Sequence, residues 1–255
     1  MRGRSVVVDA RSASPLQLLN PANDGAGAWV YLSSLGGGFV GADEVALDVE
    51  VRAGSTLFLS SQSSSKAYRA SRSRFVMDVR VDAAATVVVW PEPVTCFAGA
   101  GLTQVQRVSL ADDASMLFVD AFTAGRVARD ERWAFDALES RLSVDRRGGP
   151  WLREAVWLSS KHGALNDRMH GLDAFATVAL AGPRFAPLAT QLAEQLSRRS
   201  LREQSVVTLS PRDDGALLRI ASPSVEALTQ QLQELLRAAV VDVLGDGPPT
   251  THGAR

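Results

Sequence analysis

Three acidic residues stand at unusual places in the sequence. Asp43 follows a glycine-rich segment, whereas Asp120 and Glu154 lie inside the apolar runs 116–122 and 151–158. Carboxylate oxygens are weak ligands for a late divalent metal ion, and two carboxylates about 5–9 Å apart are the acid and base of many glycoside hydrolases. A charge within a strand usually faces solvent through alternation, whereas a buried one needs a partner, a metal or water. The residues alone favour the solvent-facing interpretation and leave a wet passage as the alternative.

A glycine-rich segment matches the pattern G-x-G-x-x-G over Gly36–Gly41. This pattern holds a dinucleotide only where a strand enters and a helix leaves, because the helix N-terminus binds the pyrophosphate. Residues 45–51 alternate like a strand, so the segment is interpreted as a tight turn with positive φ, which glycine allows. The sequence also lacks G-x-x-x-x-G-K-[ST], and we expect no hydrolysis of GTP or ATP by this chain.

The histidines and the single cysteine form no recognisable catalytic or metal-binding pattern. His162 and His170 are eight residues apart, His252 lies near the end, and each is interpreted as a surface or singly bonded histidine. Cys96 is alone, which excludes an intrachain disulfide and a cysteine-based zinc site and fits a reducing compartment. There is no Gly-x-Ser-x-Gly elbow. The residues therefore offer no catalytic constellation.

Composition narrows the class of protein. The chain has 255 residues with 27 basic and 28 acidic side chains and a formal net charge of −1, so it lacks the basic excess of a nucleic-acid-binding protein. The first ten residues contain an apolar run too short for a signal peptide. The most apolar stretches, 83–90 and 174–182, are far below the about 20 residues of a membrane span. These features predict a cytoplasmic protein without nucleic-acid or membrane partners.

The first two thirds of the sequence alternate with the period of a β-strand. Apolar residues occupy every second position in 45–51 and again in 75–81, which places each set on one face of a strand. Further short strands are predicted at 86–90, 105–110, 116–122, 133–137, 141–144 and 151–158. Asp145–Gly149 has the composition of a hairpin turn.

An internal repeat runs through these strands. Leu47–Leu59 aligns without a gap on Met77–Val89 at an offset of 30 residues, and Val108–Phe118 aligns on Val49–Leu59 at an offset of 59. Each copy has the pattern strand, tight turn, strand. Because such a unit cannot bury its apolar face alone, it stacks on its neighbours. The repeat predicts a mainly β fold of stacked strand layers resembling a β-helix.

The last third of the sequence contains helix patterns as well as strand patterns. A strand at 175–180, a helix at 187–197, a hairpin formed by 206–209 and 217–220, and a second helix predict the order β-α-β-β-α. Ser222 and Pro223 are interpreted as N-cap and first residue of the second helix, and Gly245 as its end. The predicted domains are a layered β region at 1–172, a small α/β lobe packed on it at 173–245, and a disordered tail at 246–255.

Several blocks in order resemble the urease accessory protein D family (UreD, also called UreH). They are Pro15–Pro21, Leu35–Asp43, Gln62–Arg69, Trp90–Phe97, Gly125–Glu131 and Asn166–Met169. The resemblance spans about Pro15 to Leu244. Each block alone has little specificity, but the series in order is specific. The family's second glycine in the glycine block is Ala42 in this sequence.

The resemblance implies a function and a role for the acidic residues. Members of the family are non-enzymatic scaffolds in the insertion of nickel into apo-urease, and they bridge urease to the accessory proteins F and G, of which G is the GTPase. Their mainly β fold is thought to carry Ni²⁺ through an internal wet tunnel, without a tightly bound cofactor. Asp43 matches the aspartate that ends the family's glycine block, and Asp120 and Glu154 resemble acidic positions of the tunnel. The resemblance makes a wet passage with transient nickel contacts the favoured interpretation of all three.

Two alternatives stand beside this expectation. A stacked-β hydrolase would use paired carboxylates as acid and base, although a secreted sugar enzyme would usually carry a signal peptide. A structural adaptor would bind the same partners without a path for metal.

Overall fold

The computed structural model describes residues 3–69, 72–197 and 205–246, and in them the chain is mainly β. One sheet follows the path β1 (Leu16–Leu19), β2 (Ala28–Ser34), β5 (Thr56–Ser61), β8 (Thr86–Val89), β11 (Ser115–Thr123), β14 (Ala174–Ala181), β16 (Gly215–Ser222) and β15 (Val206–Arg212). Short strands β3 (Gly38–Phe39), β6 (Lys66–Ala67) and β9 (Val94–Cys96) join it at β11. The second sheet has the order β13 (Gly149–Ser159), β12 (Ala137–Arg146), β10 (Gly101–Leu110), β7 (Ser73–Val81) and β4 (Glu44–Val51).

Parallel pairing between successive copies makes the first half of the chain a short β-solenoid of about 3 turns. Each turn supplies one strand to the first sheet, one short strand to a corner and one strand to the second sheet. Strands β2, β5, β8 and β11 are parallel neighbours, as are β4, β7, β10 and β12. The prediction of stacked β layers is confirmed.

The offset of the sequence repeat matches the pairing register of the solenoid strands. Leu47 pairs with Met77 and Leu59 pairs with Val89, which are the partners that the offset of 30 residues predicts. Val89 in turn pairs with Phe118, the partner of Leu59 at the offset of 59. Equivalent side chains of successive turns therefore stack in columns, as in other solenoids.

Antiparallel strands and helices complete the fold. β13 pairs with β12 through the predicted hairpin, and β14 pairs antiparallel with β11, so the C-terminal strands extend the first sheet. Helices α2 (Ala186–Ser197) and α3 (Val225–Leu244) pack on the outer face of that sheet, and α1 (Leu165–Met169) is a short helix before β14. The predicted order β-α-β-β-α is confirmed. The boundary predicted after residue 172 precedes β14.

Two local predictions are wrong. Residues 133–137 were expected to form a strand, but Trp133 has a φ of 55°, which a strand does not tolerate, and β12 begins only at Ala137. The second helix starts later than Ser222, because Ser222 still pairs with Ala174 in the sheet. Ser224 is the N-cap, and its hydroxyl accepts a hydrogen bond from the Ala227 amide at 3.1 Å.

Other local predictions are confirmed. Gly36, Gly37, Gly38 and Gly41 all have positive φ, as the tight-turn interpretation requires. Gly245 follows α3 with a φ of 72° and caps it in the left-handed conformation. Among the described residues, none of the helices is both long enough and apolar enough to cross a membrane. The predicted tail at 246–255 lies outside the described residues except for Asp246.

Candidate functional site

A layer of polar side chains crosses the interior between the two sheets. Along each strand, inward-facing residues alternate with outward-facing ones, and most inward positions belong to one of two apolar clusters. Phe118, Leu142 and Leu217 belong to the first cluster. Phe122 and Leu138 belong to the second. Several inward positions between these two clusters are polar, and we call them the polar layer. They are Gln104, Gln106, Asp120, Ser140, Glu154, Thr177 and Arg219.

Strand pairing places several members of the polar layer side by side. Asp120 on β11 is the partner of Thr177 on β14, and Thr177 is the partner of Arg219 on β16. On the facing sheet, Gln104 of β10 is the partner of Ser140 on β12. Since neighbouring strands lie about 4.8 Å apart, the row from Asp120 to Arg219 spans roughly 10 Å.

Asp120 joins the two sheets through its carboxylate. Ser140 Oγ donates to Oδ2 at 2.6 Å, and the side-chain amides of Gln104 and Gln106 donate to Oδ1 at 3.2 and 3.4 Å. Asp120 is 6% exposed. Burial raises the pKa of Asp120 from 3.8 to about 6, although the three hydrogen bonds act to lower it. The carboxylate is therefore charged at neutral pH with three neutral donors and no basic partner among the described residues.

A cavity of about 80 Å³ adjoins Asp120. This volume accommodates several water molecules, and polar partners are present to hold them. Its wall combines three residues of the polar layer, a run of serines and the glycine turn with apolar residues of the solenoid. Polar or glycine residues of the wall are Ser34, Gly37, Gly38, Ser60, Ser61, Ser63, Ser64, Ser65, Glu92, Gln104, Gln106 and Asp120. The cavity thus links a buried carboxylate to the glycine turn.

Glu154 lies at the other end of the polar layer, on β13. Arg219 holds both oxygens of its carboxylate, with Nε at 2.9 Å from Oε1 and Nη2 at 2.6 Å from Oε2. The Glu154 side chain is 11% exposed and that of Arg219 is 39% exposed. The polar layer therefore begins beside a cavity and ends at an ion pair that reaches solvent.

Asp43 has a different environment from the other two acidic residues. Its Oδ2 accepts a hydrogen bond from the Val40 amide at 2.7 Å, which closes the glycine turn. Asp43 is half-buried. It does not line the cavity itself, but Gly37 and Gly38 of the same turn do. The structure brings Asp120 and Glu154 into one layer and places Asp43 beside the turn at the cavity wall.

Of the histidine and cysteine side chains that the structure describes, His170 and Cys96, neither belongs to the polar layer. His170 is exposed and ends α1 with a φ of 49°. His252 and the side chain of His162 lie outside the described residues. Burial raises the pKa of the Cys96 thiol to about 12, so it is not a thiolate at neutral pH. In residues 3–69, 72–197 and 205–246 there is no cluster of three or more histidine, cysteine or acidic side chains that would hold a metal ion firmly.

Sequence reasoning missed the partners of the acidic residues. Gln104 and Gln106 share the inward phase of Val108 and Leu110, so two amides at core positions were a readable signal. Thr177 and Arg219 likewise occupy the inward phase of their strands. Their proximity to Asp120 and Glu154 depends on the antiparallel additions to the sheet, which the repeat does not encode.

Fold and site together define a class: a short parallel β-solenoid with an antiparallel, helix-covered extension and a carboxylate-containing polar layer inside it. The model of the family described as UreD urease accessory protein matches residues 1–252. Urease accessory protein UreD of Sorangium cellulosum is 44% identical over 96% of this chain and 79% of its own length. The Anaeromyxobacter protein of the same name is 42% identical over 96% and 84% of the two chains. Urease accessory protein D of Arabidopsis thaliana is 31% identical over 96% and 95%. This chain belongs to the urease accessory protein D family.

Proposed function

We propose that this chain is a non-enzymatic scaffold for urease maturation in the cytoplasm. It joins apo-urease to the accessory proteins F and G and passes Ni²⁺ to urease through weak, transient contacts. The observation that carries the proposal is the match of residues 1–252 to the UreD urease accessory protein family. The relatives named above are urease accessory proteins, and each is aligned with 96% of this chain.

The chemistry of the polar layer supports a path for metal. Asp120 and Glu154 offer oxygen ligands, and a late divalent ion binds these less tightly than imidazole or thiolate. A conduit must bind its ion weakly enough to release it. Separate carboxylates along a layer meet that condition better than a closed cage of ligands. Asp43 orders the turn whose glycines line the cavity, and we assign it to the entrance of the path.

Alanine variants of the three acidic residues test this function. We expect Asp43→Ala, Asp120→Ala, Glu154→Ala and the triple variant to fold and to retain F, G and apo-urease in pull-down assays. Urease matured with them should contain less nickel per active site and show lower activity. Asp48→Ala is the matched control, because Asp48 is an exposed acid on the outer face of the second sheet.

The outcomes separate the alternatives. The solvent-facing interpretation is wrong for Asp120, which is buried. For Asp43 it predicts a stability change of no more than about 0.5 kcal/mol and intact urease activation. If Glu154 only forms a structural ion pair with Arg219, its removal costs about 3–5 kcal/mol and the folded protein is lost. The conduit predicts folded variants with intact complexes and poor nickel transfer, and Asp120→Leu should be worse than Asp120→Ala because it also fills the path. Normal nickel content in urease matured with the folded triple variant would contradict the conduit. The structural adaptor without a metal path would then be the remaining alternative.

A further inference from the structure

The ion pair between Glu154 and Arg219 occupies the solvent end of the polar layer. Both carboxylate oxygens face a guanidinium nitrogen at 2.9 and 2.6 Å, so the negative charge of Glu154 is already neutralised. A bidentate pair of this kind is short and directional. A divalent cation that reaches Glu154 therefore has to compete with Arg219 for the same oxygens.

Arg219 is placed to leave this pair at low cost. Its side chain is 39% exposed, whereas that of Glu154 is 11% exposed. A guanidinium that turns outward regains water, while the carboxylate that it leaves behind is mostly enclosed. An enclosed carboxylate without a counter-ion is unfavourable unless another cation replaces the first one. The exposures thus favour an exchange of cations over simple opening of the pair.

The unsatisfied hydroxyl of Thr177 indicates a ligand between Asp120 and the ion pair of Glu154 with Arg219. It lies in register between Asp120 and Arg219, on the inward face of β14. The residue is 2% exposed, and its Oγ1 has no hydrogen-bond partner among the described residues. Buried hydroxyls are normally satisfied, because an unsatisfied one costs free energy. A hydroxyl oxygen left open in register between Asp120 and Arg219 is suited to contact a hydrated cation that passes along the layer.

We infer that Arg219 is a gate at the end of the polar layer, and that a divalent cation passes Thr177 and displaces the guanidinium from Glu154. This inference rests on the proposed function, since it names how the same path is closed. While no metal is present, Arg219 neutralises Glu154 and keeps the layer shut to other cations. When the cation arrives, the guanidinium turns to water and Glu154 becomes an oxygen ligand. No bond other than coordination and hydrogen bonds changes in this exchange.

Removal of the gate should strengthen metal binding by the purified chain. We expect Arg219→Gln to bind Ni²⁺ about fivefold more tightly or better in equilibrium dialysis, because the competing charge is gone while a hydrogen-bond donor to Glu154 remains. Arg219→Lys keeps the charge without the bidentate geometry and should lie between wild type and Arg219→Gln. The gain should vanish in the double variant Arg219→Gln/Glu154→Gln.

Arg107→Gln is the matched control for the gate. Arg107 makes a similar pair with Asp78, from one nitrogen to both oxygens at 2.9 and 3.0 Å, on the outer face of the second sheet. Its loss changes the net charge by the same amount away from the polar layer, so nickel binding should not change. Equal tightening in Arg107→Gln and Arg219→Gln would show a general effect of charge and overturn the gate.

Thr177→Val gives an independent readout. The substitution removes an unsatisfied hydroxyl and keeps the shape, so the variant should be at least as stable as wild type. Nickel transfer to urease should nevertheless fall if the hydroxyl contacts the passing ion. Normal transfer with Thr177→Val, or unchanged nickel affinity with Arg219→Gln, would overturn the inference.

These results are separable from the test of the proposed function. If the triple variant of Asp43, Asp120 and Glu154 transfers nickel normally, the proposed path is wrong and the inferred gate is wrong as well. If the triple variant is deficient but Arg219→Gln and Thr177→Val behave like wild type, the path stands and only the gate is wrong.

Discussion

Asp120 carries a buried negative charge that the fold stabilises only with neutral donors. The ordinary pKa of an aspartate side chain is 3.8, and burial raises the pKa of Asp120 in the folded protein to about 6. The folded state therefore binds a proton more tightly than the unfolded state. The contribution of Asp120 to stability is fully present below about pH 4 and is lost as the pH rises toward 6 and above. At about 1.4 kcal/mol per pKa unit, the charged carboxylate destabilises the protein by about 3 kcal/mol at neutral pH.

This linkage predicts that Asp120→Asn stabilises the protein at neutral pH. We expect a gain of about 1–3 kcal/mol at pH 7.5, since the amide removes the buried charge and keeps one acceptor for Ser140. The gain should shrink as the pH falls through 6 and be nearly absent near pH 4, where wild-type Asp120 is protonated. Urea unfolding of both proteins across this range measures it. A gain that is equal at pH 4.5 and 7.5 would contradict the raised pKa.

Sequence reasoning at the residue scale located the acids but not their surroundings. Asp120 and Glu154 stood out because each interrupts an apolar run. Arg219, the partner of Glu154, is 65 residues away in sequence, and Ser140 contacts Asp120 from the facing sheet. Alternation gives the phase of a side chain within its own strand. It does not say which strand lies opposite, and so the layer was visible only in the assembled fold.

At the scale of the element, the repeat was the most informative part of the sequence. Because the turns of a solenoid stack in register, the offset of 30 residues gave the actual pairing of β4 with β7 and of β5 with β8. Errors arose where local rules compete with tertiary contacts. The Ser-Pro pair at 222–223 has the pattern of a helix start, yet Ser222 is retained by its pairing with Ala174 and the cap moves to Ser224.

The corrected helix start yields a prediction for α3. Ser224→Ala removes the acceptor of the Ala227 amide at 3.1 Å and should cost about 1 kcal/mol of the free energy of unfolding. Ser224→Asp is the control, because a carboxylate keeps an acceptor and interacts favourably with the helix N-terminus. Denaturant titrations of the three proteins measure the difference. If Ser222→Ala cost more than Ser224→Ala through the same helix, the assignment of the cap would be wrong.

At the scale of the whole molecule, the glycine turn bears on nucleotide chemistry. The turn leads into β4 and not into a helix, and the Val40 amide already donates to the Asp43 carboxylate at 2.7 Å. A phosphate would have to displace that carboxylate and would be repelled by its charge. We therefore expect no GTP hydrolysis above buffer from the purified chain, in a phosphate-release assay with an authentic GTPase as positive control. Turnover that disappears on substitution of Gly36–Gly41 would refute this expectation.

Contacts across the predicted domain boundary bear on cooperativity. β14 pairs with β11 over eight residues, from Ala174 to Ala181. The last turn of α3 accepts hydrogen bonds from the first turn of the solenoid, since Leu244 O receives the Ala26 and Gly27 amides at 2.8 and 3.2 Å. Trp29 and Phe58 belong to the same apolar cluster as the helices. The C-terminal elements are thus tied to both ends of the solenoid.

These ties predict that residues 1–172 and 173–245 unfold together. All 5 tryptophans lie before residue 172, whereas the long helices α2 and α3 lie after it. Fluorescence and far-ultraviolet circular dichroism therefore report on different regions of one chain. In equilibrium urea unfolding the two signals should give coincident transitions, as expected for a single cooperative unit. Helix signal lost at a lower urea concentration than fluorescence would instead show that the C-terminal lobe melts from a solenoid that remains folded.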